Sequence, residues 1–294
     1  MNISTIRREL GQLGHRLDAL PLTGERYASC LSSYEQASSQ RQQILAWVRR
    51  ELVPRLSTDS ASVLSIGCGA GDLDKELLAA IAGHSARVSY CGVEPDTAQC
   101  ERFAAAMGAE ANERIRIEAH NVGFESFPVR QSYDLVLMVH SLYYMPDPAG
   151  AIDKALSLVK DQSQLVVLLA ANDTLNELSS SFWQIEADRV AWFSEDLSAY
   201  LDMQGWPFTS EKIEARLDMT PCFDANSVTG SEIADFLAHV STRELPDHLQ
   251  DMIREYLDAT SYRSESGRWL PHNVDAFSIP AQAMTRVAGL AGSG

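Results

Sequence analysis

Three glycines and one glutamate form the part of the sequence best suited to holding a ligand. Gly67, Gly69 and Gly71 follow a short apolar segment, Val63–Ile66, and precede a helical pattern. Glycines at such a turn let the backbone pass close to a ligand and leave amide N–H groups available to it. Glu94 ends the next apolar segment. Because a carboxylate there can accept the hydrogens of both ribose hydroxyls, we expect a nucleoside at this place.

The spacing of these glycines separates two classes of nucleotide cofactor. It reads G-x-G-x-G, whereas the third glycine of the dinucleotide fingerprint would fall at Asp72. No lysine or arginine lies between Gly67 and Asp74, which suits a cofactor that carries a positive sulfonium. We therefore predict S-adenosylmethionine as the cofactor and disfavour a nicotinamide oxidoreductase. The competing interpretation is an ordinary tight turn followed by a solvated acid at a strand end.

A second group of chemically capable residues follows the apolar segment Tyr133–Val139. His140, Tyr143 and Tyr144 come directly after this predicted strand. In an open α/β sheet, ligands bind outside the carboxyl ends of the strands, so these side chains are candidate catalytic residues. The alternative is that both tyrosines are packing residues and that His140 is a hydrogen-bonded structural histidine.

The elements that must position these residues alternate between strand and helix. Strands are predicted at Val63–Ile66, Val88–Val93, around Ile115 and Ile117, at Tyr133–Val139 and at Leu165–Ala170. Alternation of this kind implies right-handed βαβ units and a parallel sheet. Two later segments, 213–219 and 274–279, predict an antiparallel pair that closes the sheet edge. The fold class is therefore α/β, with a doubly wound, mostly parallel seven-stranded sheet of Rossmann-like type and helical additions that bind substrate.

Patterning along the chain predicts five segments. Ile44, Trp47, Val48 and Leu52 recur at helical spacing in a polar N-terminal region, and helical stretches are predicted at 231–240 and 246–259. The segments are an N-terminal helical cap or lid (1–58), a cofactor-binding α/β core (59–220), a helical insertion that forms a wall of the substrate pocket (221–272), a last sheet strand (273–281) and a flexible tail (282–294).

Composition excludes several classes of partner. The formal net charge is −16, with 24 basic against 40 acidic residues, which argues against nucleic acid. The five cysteines show no C-x-x-C spacing and no accompanying histidine cluster, so we expect no metal. No apolar run approaches the roughly 20 residues of a membrane span. We expect a cytoplasmic monomer or weak dimer that acts on a small molecule and binds neither nucleic acid nor membrane.

Several motifs together resemble the histamine N-methyltransferase family, a small-amine branch of the class I methyltransferases. The similar segments are 63–77, 92–99 and 133–152, with the motifs Leu-Ser-Ile-Gly-x-Gly-Ala-Gly, Val-Glu-Pro and Leu-Tyr-Tyr. Similarity continues at 217–223, 235–237 and 273–277 and covers most of residues 27–279.

This resemblance implies roles for individual residues. It places the cofactor against Gly67, Gly69, Glu94, Gln99 and Val139, with Asn121 on the adenine side. It also implies a substrate pocket of aromatic side chains, Tyr27, Tyr143, Tyr144 and Phe236, with tryptophan walls from Trp183 and Trp192. Asn273 matches an asparagine that hydrogen-bonds the substrate in the family.

Three departures from the family pattern change the expected substrate. A family glutamate that holds the cationic amine corresponds to Gln40, and a family glutamine corresponds to His140. Asp275 adds a carboxylate where the family has an apolar residue, which makes it a further candidate catalytic residue. A site built around one set of hydrogen bonds rejects analogues that leave its groups unpaired, so histamine itself is not the expected substrate.

The favoured function is direct, in-line N-methylation of a small amine or amino-acid-like metabolite, without a metal. Approach geometry in a dry pocket would supply most of the catalysis, and His140 or Asp275 would take a proton or orient the acceptor lone pair. Two alternatives remain open at this point. One is S-methylation of an amino acid thioether such as methionine, and the other is a non-catalytic module that binds the cofactor.

Overall fold

The structure is a computed structural model that describes residues 3–14, 22–173, 175–178 and 191–281. Its described residues group into two compact units. The first, called the sheet unit here, consists of 44–170, 191–213 and 274–281. The second, the helical unit, consists of the described residues up to Gln43, those between 171 and 178, and Glu214–Asn273.

The sheet unit is built on seven strands in the order β3-β2-β1-β4-β5-β10-β6. The strands are β1 (Ala61–Ile66), β2 (Val88–Val93), β3 (Ile115–His120), β4 (Tyr133–Val139), β5 (Val159–Leu169), β6 (Thr209–Ile213) and β10 (Val274–Pro280). The first five run parallel, and β10 is antiparallel to both β5 and β6. The predicted doubly wound, mostly parallel sheet with an antiparallel edge is therefore confirmed.

Both faces of this sheet are covered by helices, which explains why β4 is apolar from Leu135 to Val139. Leu135 and Leu137 enter one apolar cluster, while Val136 and Met138 enter the other. The helices at 40–47, 72–82 and 97–108 pack on one face of the sheet. The helices at 148–157 and 194–204 pack on the opposite face. These helices are α3 (Gln40–Trp47), α4 (Asp72–Ala82), α5 (Thr97–Gly108), α6 (Pro148–Ser157) and α7 (Ser194–Gln204).

The strand order reverses between β1 and β4, which creates the crevice where ligands of open α/β sheets bind. The glycine turn follows β1, and His140 follows β4, so both predicted groups flank this crevice. The hydroxyl of Ser141 donates to the carbonyl of Ile66 at 2.8 Å and fastens the two strand ends to each other.

The described residues of the helical unit include four helices of 11 to 14 residues and a small antiparallel sheet of order β7-β9-β8. These elements are α1 (Ile3–Gly14), α2 (Gly24–Ala37), α8 (Val228–Ala238), α9 (Asp247–Thr260), β7 (Arg216–Asp218), β8 (Tyr262–Ser264) and β9 (Gly267–Pro271). Its core includes Ile6, Leu217, Ile233 and Tyr256, each at most 1% exposed. Helices α8 and α9 correspond to the two helical stretches predicted after residue 230.

The prediction of one continuous strand over 213–219 is wrong. Strand β6 ends at Ile213, and β7 begins at Arg216 in the other unit. Ile213 is buried in the sheet unit, whereas Leu217 and Met219 are buried in the helical unit. The apolar residues of one continuous alternating pattern are therefore divided between two separate cores. The hairpin of β8 and β9 was not predicted either.

The division into units differs from the five predicted segments. The first boundary falls at residue 43/44, inside α3, so the predicted cap of 1–58 contributes to both units. The predicted insertion 221–272 groups with the N-terminal helices, because their apolar faces share one core. The tail 282–294 lies outside the described residues. Among the described helices, none has the length and apolar character to cross a membrane.

The buried carboxylate of Asp235 is an expected source of stability in the helical unit. It is fully buried, accepts the Thr242 N–H at 2.8 Å, and pairs with the guanidinium of Arg26. We expect Asp235→Ala to lower the free energy of unfolding by about 1–3 kcal/mol, since buried donors lose their acceptor. Urea denaturation measures this change.

The matched control is Asp251→Ala. The Asp251 side chain is 77% exposed and lies 3.9 Å from Arg254. Such a pair contributes little, so the expected change is within about 0.5 kcal/mol. Equal effects of the two substitutions would contradict the stabilising role of Asp235.

Candidate active site

The glycine turn adopts a backbone that other residues rarely tolerate. Gly67, Gly69 and Gly71 have φ angles of 70°, 54° and 82°. A Cβ on Gly67 would lie 2.4 Å from the Cβ of Ser141, and one on Gly71 would lie 2.7 Å from the ring of Phe103. Gly69 differs, because nothing lies within 4 Å of its Cβ position. The turn is therefore packed at both ends and open in the middle.

The carboxylate of Glu94 joins this turn to the next loop. Its Oε2 accepts the N–H of Gly69, and its Oε1 accepts the N–H of Asp96, both at 3.0 Å. Each carboxylate oxygen has a second lone pair, so the group keeps acceptor capacity for a ligand. Glu94 is thus oriented before any ligand binds.

Asn121 supports the same loop through its side chain. Its Nδ2 donates to the carbonyls of Glu94 at 3.0 Å and Pro95 at 2.9 Å, while its Oδ1 accepts the hydroxyl of Thr97 at 3.0 Å. These contacts give Asn121 a role in holding the loop that carries Glu94. The resemblance had suggested adenine contact for this residue, which stays a prediction.

The other predicted cofactor residues lie on neighbouring elements of the sheet unit. Gln99 is in the first turn of α5, where its N–H donates to the carboxylate of Asp96 at 2.9 Å, and its side chain is half-buried. Val139 is the last residue of β4, packs against the apolar cluster of one sheet face and is also half-buried.

Buried polar groups lie below the turn. Burial and the nearby acids Asp74 and Glu94 raise the pKa of the Cys68 thiol well above its usual range. Tyr90 donates its hydroxyl hydrogen to Asp74 at 2.8 Å, and burial raises the pKa of that carboxyl. All five cysteines lie among the described residues, and each is a free thiol.

His140 and Tyr143 form a hydrogen-bonded pair at the crevice. The Nδ1 of His140 and the hydroxyl oxygen of Tyr143 are 3.1 Å apart, and their rings are stacked at 11°. The N–H of Ala170 donates to the same hydroxyl oxygen at 2.6 Å. His140 has φ 50°, and burial lowers its pKa to about 4. The ring is therefore neutral at physiological pH.

Further aromatic rings of the sheet unit surround this pair. The ring centroids of Tyr144 and Phe193 lie 6.1 and 5.6 Å from that of Tyr143. Tyr144 is 52% exposed to solvent. Trp192 is half-buried and packs on Tyr200 at 5.1 Å. The structure therefore brings together the predicted residues that follow β4, and it adds Phe193.

Asp275 lies at the same sheet edge. The register of β10 sets it opposite Leu169, the last residue of β5, and opposite Lys212 of β6. Because β10 is antiparallel to β5, the start of β10 meets the carboxyl end of β5. The half-buried Asp275 is thus on the strand next to the one that ends at Ala170.

The helical unit contains its own aromatic cluster. Phe236 of α8 lies 5.9 Å from Tyr27 and 4.4 Å from Tyr34, both on α2. The ring of His239 lies 5.5 Å from Phe236, and burial lowers the pKa of this histidine. Tyr34 was missed in the sequence, although it lies about two helical turns after Tyr27 on the same helix.

Two predicted substrate residues of the helical unit are held by backbone groups. The Nε2 of Gln40 donates to the carbonyl of His272 at 3.1 Å, and Gln40 is 8% exposed. The Oδ1 of Asn273 accepts the N–H of Ala215 at 3.0 Å. The ring nitrogens of His272 lie 2.5 Å from the Tyr34 hydroxyl and 2.7 Å from Ser38 Oγ, contacts the sequence did not predict. Trp183 lies outside the described residues.

One possible metal-ligand group arises from strand register. Cys91, Glu118 and His120 offer ligand atoms that lie within 4.8 Å of one another. Cys91 of β2 is opposite Glu118 of β3, a proximity that sequence spacing did not reveal. Glu118 already pairs with Arg116 at 2.8 Å, and burial raises the pKa of the Cys91 thiol to about 11. We assign no metal to this group.

The open middle of the glycine turn gives a direct test of the predicted cofactor position. We expect Gly69→Ala to abolish S-adenosylmethionine binding in calorimetry while the protein stays folded. The new methyl group meets no protein atom, so its cost is the strain of positive φ, on the order of 1–2 kcal/mol. It would occupy the open side of the turn.

Two further alanine variants complete this comparison. Gly67→Ala should lower Tm strongly through its clash with Ser141, whereas Gly108→Ala, which meets nothing within 4 Å, should change neither Tm nor binding. Equal cofactor affinity of Gly69→Ala and Gly108→Ala would contradict the assigned position.

The sequence and the fold are similar to those of known methyltransferases. A methyltransferase domain family matches residues 37–211. Histamine N-methyltransferase of Danio rerio is 24% identical over 259 residues, which cover 79% of this chain and 88% of that protein. Histamine N-methyltransferase of Bos taurus is 21% identical over 237 residues, covering 74% and 80%.

Two solved structures show the same fold. The YcgJ protein of Bacillus subtilis gives a TM-score of 0.53 at 14% identity and covers 80% of this chain and 97% of its own. The plantazolicin methyltransferase BamL, in complex with a triazolic desmethylPZN analog and SAH, gives 0.51 at 14% identity and covers 95% and 100%. Since the family match spans more than half of the sequence, the chain belongs to the methyltransferase domain family and is a class I, S-adenosylmethionine-dependent methyltransferase.

Proposed function

We propose that this methyltransferase transfers the methyl group of S-adenosylmethionine directly to a nitrogen of a small amine or amino-acid-like metabolite. The observation that carries the proposal is the Glu94 carboxylate, held by the N–H groups of Gly69 and Asp96. This arrangement suits the two hydroxyl groups of a ribose, because the carboxylate oxygens retain lone pairs.

The residues of the turn fit a sulfonium nucleoside better than a phosphate-bearing one. Helix α4 begins directly after Gly71, and its first turn carries Asp72 and Asp74. A helix N-terminus usually attracts a phosphate, but two carboxyl side chains in the first turn oppose an anion there. The open side of Gly69 leaves room for the ligand.

The acceptor is recognised by aromatic and neutral polar groups. In the sheet unit these are the rings of Tyr143, Tyr144 and neutral His140. The family resemblance by itself implies substrate contacts for the amides of Gln40 and Asn273. The named relatives act on histamine, and the Gln40 amide in place of a carboxylate favours a different amine.

The chain's own residues would bind, orient and dehydrate the acceptor. S-adenosylmethionine, when bound, supplies a methyl carbon on a positive sulfur that takes the electrons of the broken bond. The acceptor nitrogen must arrive with its lone pair free, since an ammonium has none to offer. Aromatic faces stabilise positive charge by roughly 0.5–2 kcal/mol per contact. The carboxylate of Asp275, opposite the last residue of β5, is a candidate to take a proton from the acceptor.

The low pKa of His140 favours a second class of methyl acceptor, one that has no proton to lose. With its pKa near 4, His140 is a weak proton acceptor at neutral pH. A thioether such as that of methionine has no proton to lose, so S-methylation of an amino acid remains the second candidate. The experiment that separates the candidates is incubation of the protein with labelled S-adenosylmethionine and fractionated metabolites, followed by identification of the labelled product.

The first prediction from this proposal concerns Glu94→Gln. The amide nitrogen would face a backbone N–H, and the charge that receives the ribose hydroxyls would be lost. We expect affinity for S-adenosylmethionine to fall roughly tenfold to hundredfold, as for hydrogen bonds to charged groups. Isothermal calorimetry measures the effect. Glu113→Gln, an exposed site at the opposite end of the sheet, is the matched control; equal affinities in both variants would remove the ribose assignment.

The second prediction concerns pH. Because the pKa of His140 is lowered to about 4, turnover should show no ionisation near its ordinary value of about 6.5. With an amine acceptor, kcat/KM should rise with pH as the ammonium deprotonates, whereas a thioether acceptor should give a flat profile over roughly pH 6–9. A limb near 6.5 that disappears in His140→Gln would show that this histidine titrates.

A further inference from the structure

A cleft lies at the amino ends of the strands of the sheet unit, at the edge opposite the crevice. Its volume is about 360 Å³, which is large enough for a small metabolite. Four of its twelve lining residues are basic, namely Arg87, Arg114, Arg116 and Lys160. Since the chain has a net charge of −16, positive charge is concentrated here against the general trend of the molecule.

Strand pairing places two of these arginines next to each other. Arg87 directly precedes β2, and Arg114 directly precedes β3. The N–H of Val88, the first residue of β2, donates to the carbonyl of Arg114 at 2.8 Å. The backbone segments that carry the two guanidinium groups are therefore adjacent, although the arginines are far apart in the sequence. Two like charges in one cleft repel each other, and an anion bound between them would offset that repulsion.

Neither of these two arginines has a carboxylate partner within the described ranges of the chain. The Nε of Arg114 donates to the carbonyl of Ala86 at 2.8 Å, and a terminal nitrogen donates to the carbonyl of Ser85 at 3.4 Å. These contacts hold the guanidinium in place, but a carbonyl has no net charge that could neutralise it. Arg87 is exposed, and its side chain makes no hydrogen bond to any described residue.

The other charged residues of the cleft do not cancel this excess of positive charge. The Nζ of Lys160 lies 2.9 Å from Oδ2 of Asp134. The guanidinium of Arg116 lies 2.8 Å from the carboxylate of Glu118. Glu113 is the remaining acid among the lining residues, and it is exposed to solvent. The two unneutralised guanidinium groups therefore share the cleft with one such acid.

Hydroxyl groups add uncharged donors to the cleft. Ser62 of β1, Ser89 of β2 and Arg116 of β3 are paired in register, so their side chains lie on the same face of the sheet. The Ser62 hydroxyl donates to Asp134 at 2.6 Å, and the half-buried Ser89 lines the cleft beside it. Guanidinium groups together with hydroxyl donors suit the oxygens of phosphate and carboxylate groups.

We propose that this cleft binds a small metabolite that carries at least two phosphate or carboxylate charges. The planar guanidinium groups of Arg87 and Arg114 each donate two parallel hydrogen bonds to such a group. The negative net charge of the chain does not prevent this binding, because salt screens charges beyond about 8 Å at physiological ionic strength. The site goes beyond the proposed function, since it lies at the sheet edge opposite the methyl-transfer crevice.

Calorimetry of the full-length protein with two simple anions tests the proposal. The probes are pyrophosphate, which represents phosphate compounds, and citrate, which represents carboxylates. At an ionic strength of about 0.05 M, which limits screening, we expect at least one of them to bind with a Kd of about 1 mM or tighter. Binding of pyrophosphate alone identifies a phosphorylated ligand, and binding of citrate alone identifies a polycarboxylate. Weaker binding of both anions refutes the proposal.

Arg87→Gln tests the assigned residues. It should weaken binding of the anion roughly tenfold or more, as expected when a hydrogen bond between charged groups is lost. The Tm should stay the same, because Arg87 is exposed and the change removes no contact with a described residue. The matched control is Arg49→Gln, which changes an exposed arginine outside the cleft. Equal anion affinities in the two variants would contradict the proposal.

Glu113→Gln should have the opposite effect. Because this acid repels an anion in the cleft, its neutralisation should strengthen binding by roughly twofold to fivefold. Damage to the fold would weaken binding, so a gain in affinity reports on charge alone. If Glu113→Gln binds the anion no more tightly than the wild type does, the charge of the cleft does not determine binding and the proposal fails.

Competition with the cofactor tests the location of the site. We expect saturating S-adenosylmethionine to change the Kd of the anion by less than about twofold, because the two ligands bind at opposite edges of the sheet. An anion that S-adenosylmethionine displaces would lie in the crevice, and that result would overturn the inference.

Discussion

The link between Glu94 and the glycine turn is the constraint on which the site depends. Its two oxygens accept N–H groups from Gly69 and Asp96, so one side chain fixes the loops that follow β1 and β2. The turn itself requires positive φ angles and close packing against Ser141, which follows β4. Three neighbouring strands of the sheet therefore determine one small region of backbone. Among the three glycines of the turn, Gly69 is the one with open space at its Cβ position, where a ligand has room.

Much of this arrangement could be predicted from the sequence, because its signals are local. The glycine spacing, the acid at the end of β2 and the alternation of strands with helices each lie within a short stretch of chain. The parallel core and its antiparallel edge follow from this alternation and are confirmed. Even the polar residues after β4 are found in the expected place, since strand ends of a parallel sheet share one edge.

The features that were missed depend on which core a residue enters. Ile213 and Leu217 belong to one alternating pattern, yet they are buried in different units. The alternation of apolar and polar residues does not show which of two cores an apolar residue enters. The break between β6 and β7 could therefore not be predicted from the sequence. His272 shows the same limit, since its partners Tyr34 and Ser38 are far away in the sequence.

The thiol within the glycine turn has a chemical consequence for a protein that handles an electrophilic methyl donor. Thiolates are strong nucleophiles, whereas protonated thiols are weak ones. Burial and two nearby acids keep Cys68 protonated, although it lies between two glycines of the turn. In its protonated form this sulfur is a weaker nucleophile toward a methyl donor than a thiolate would be.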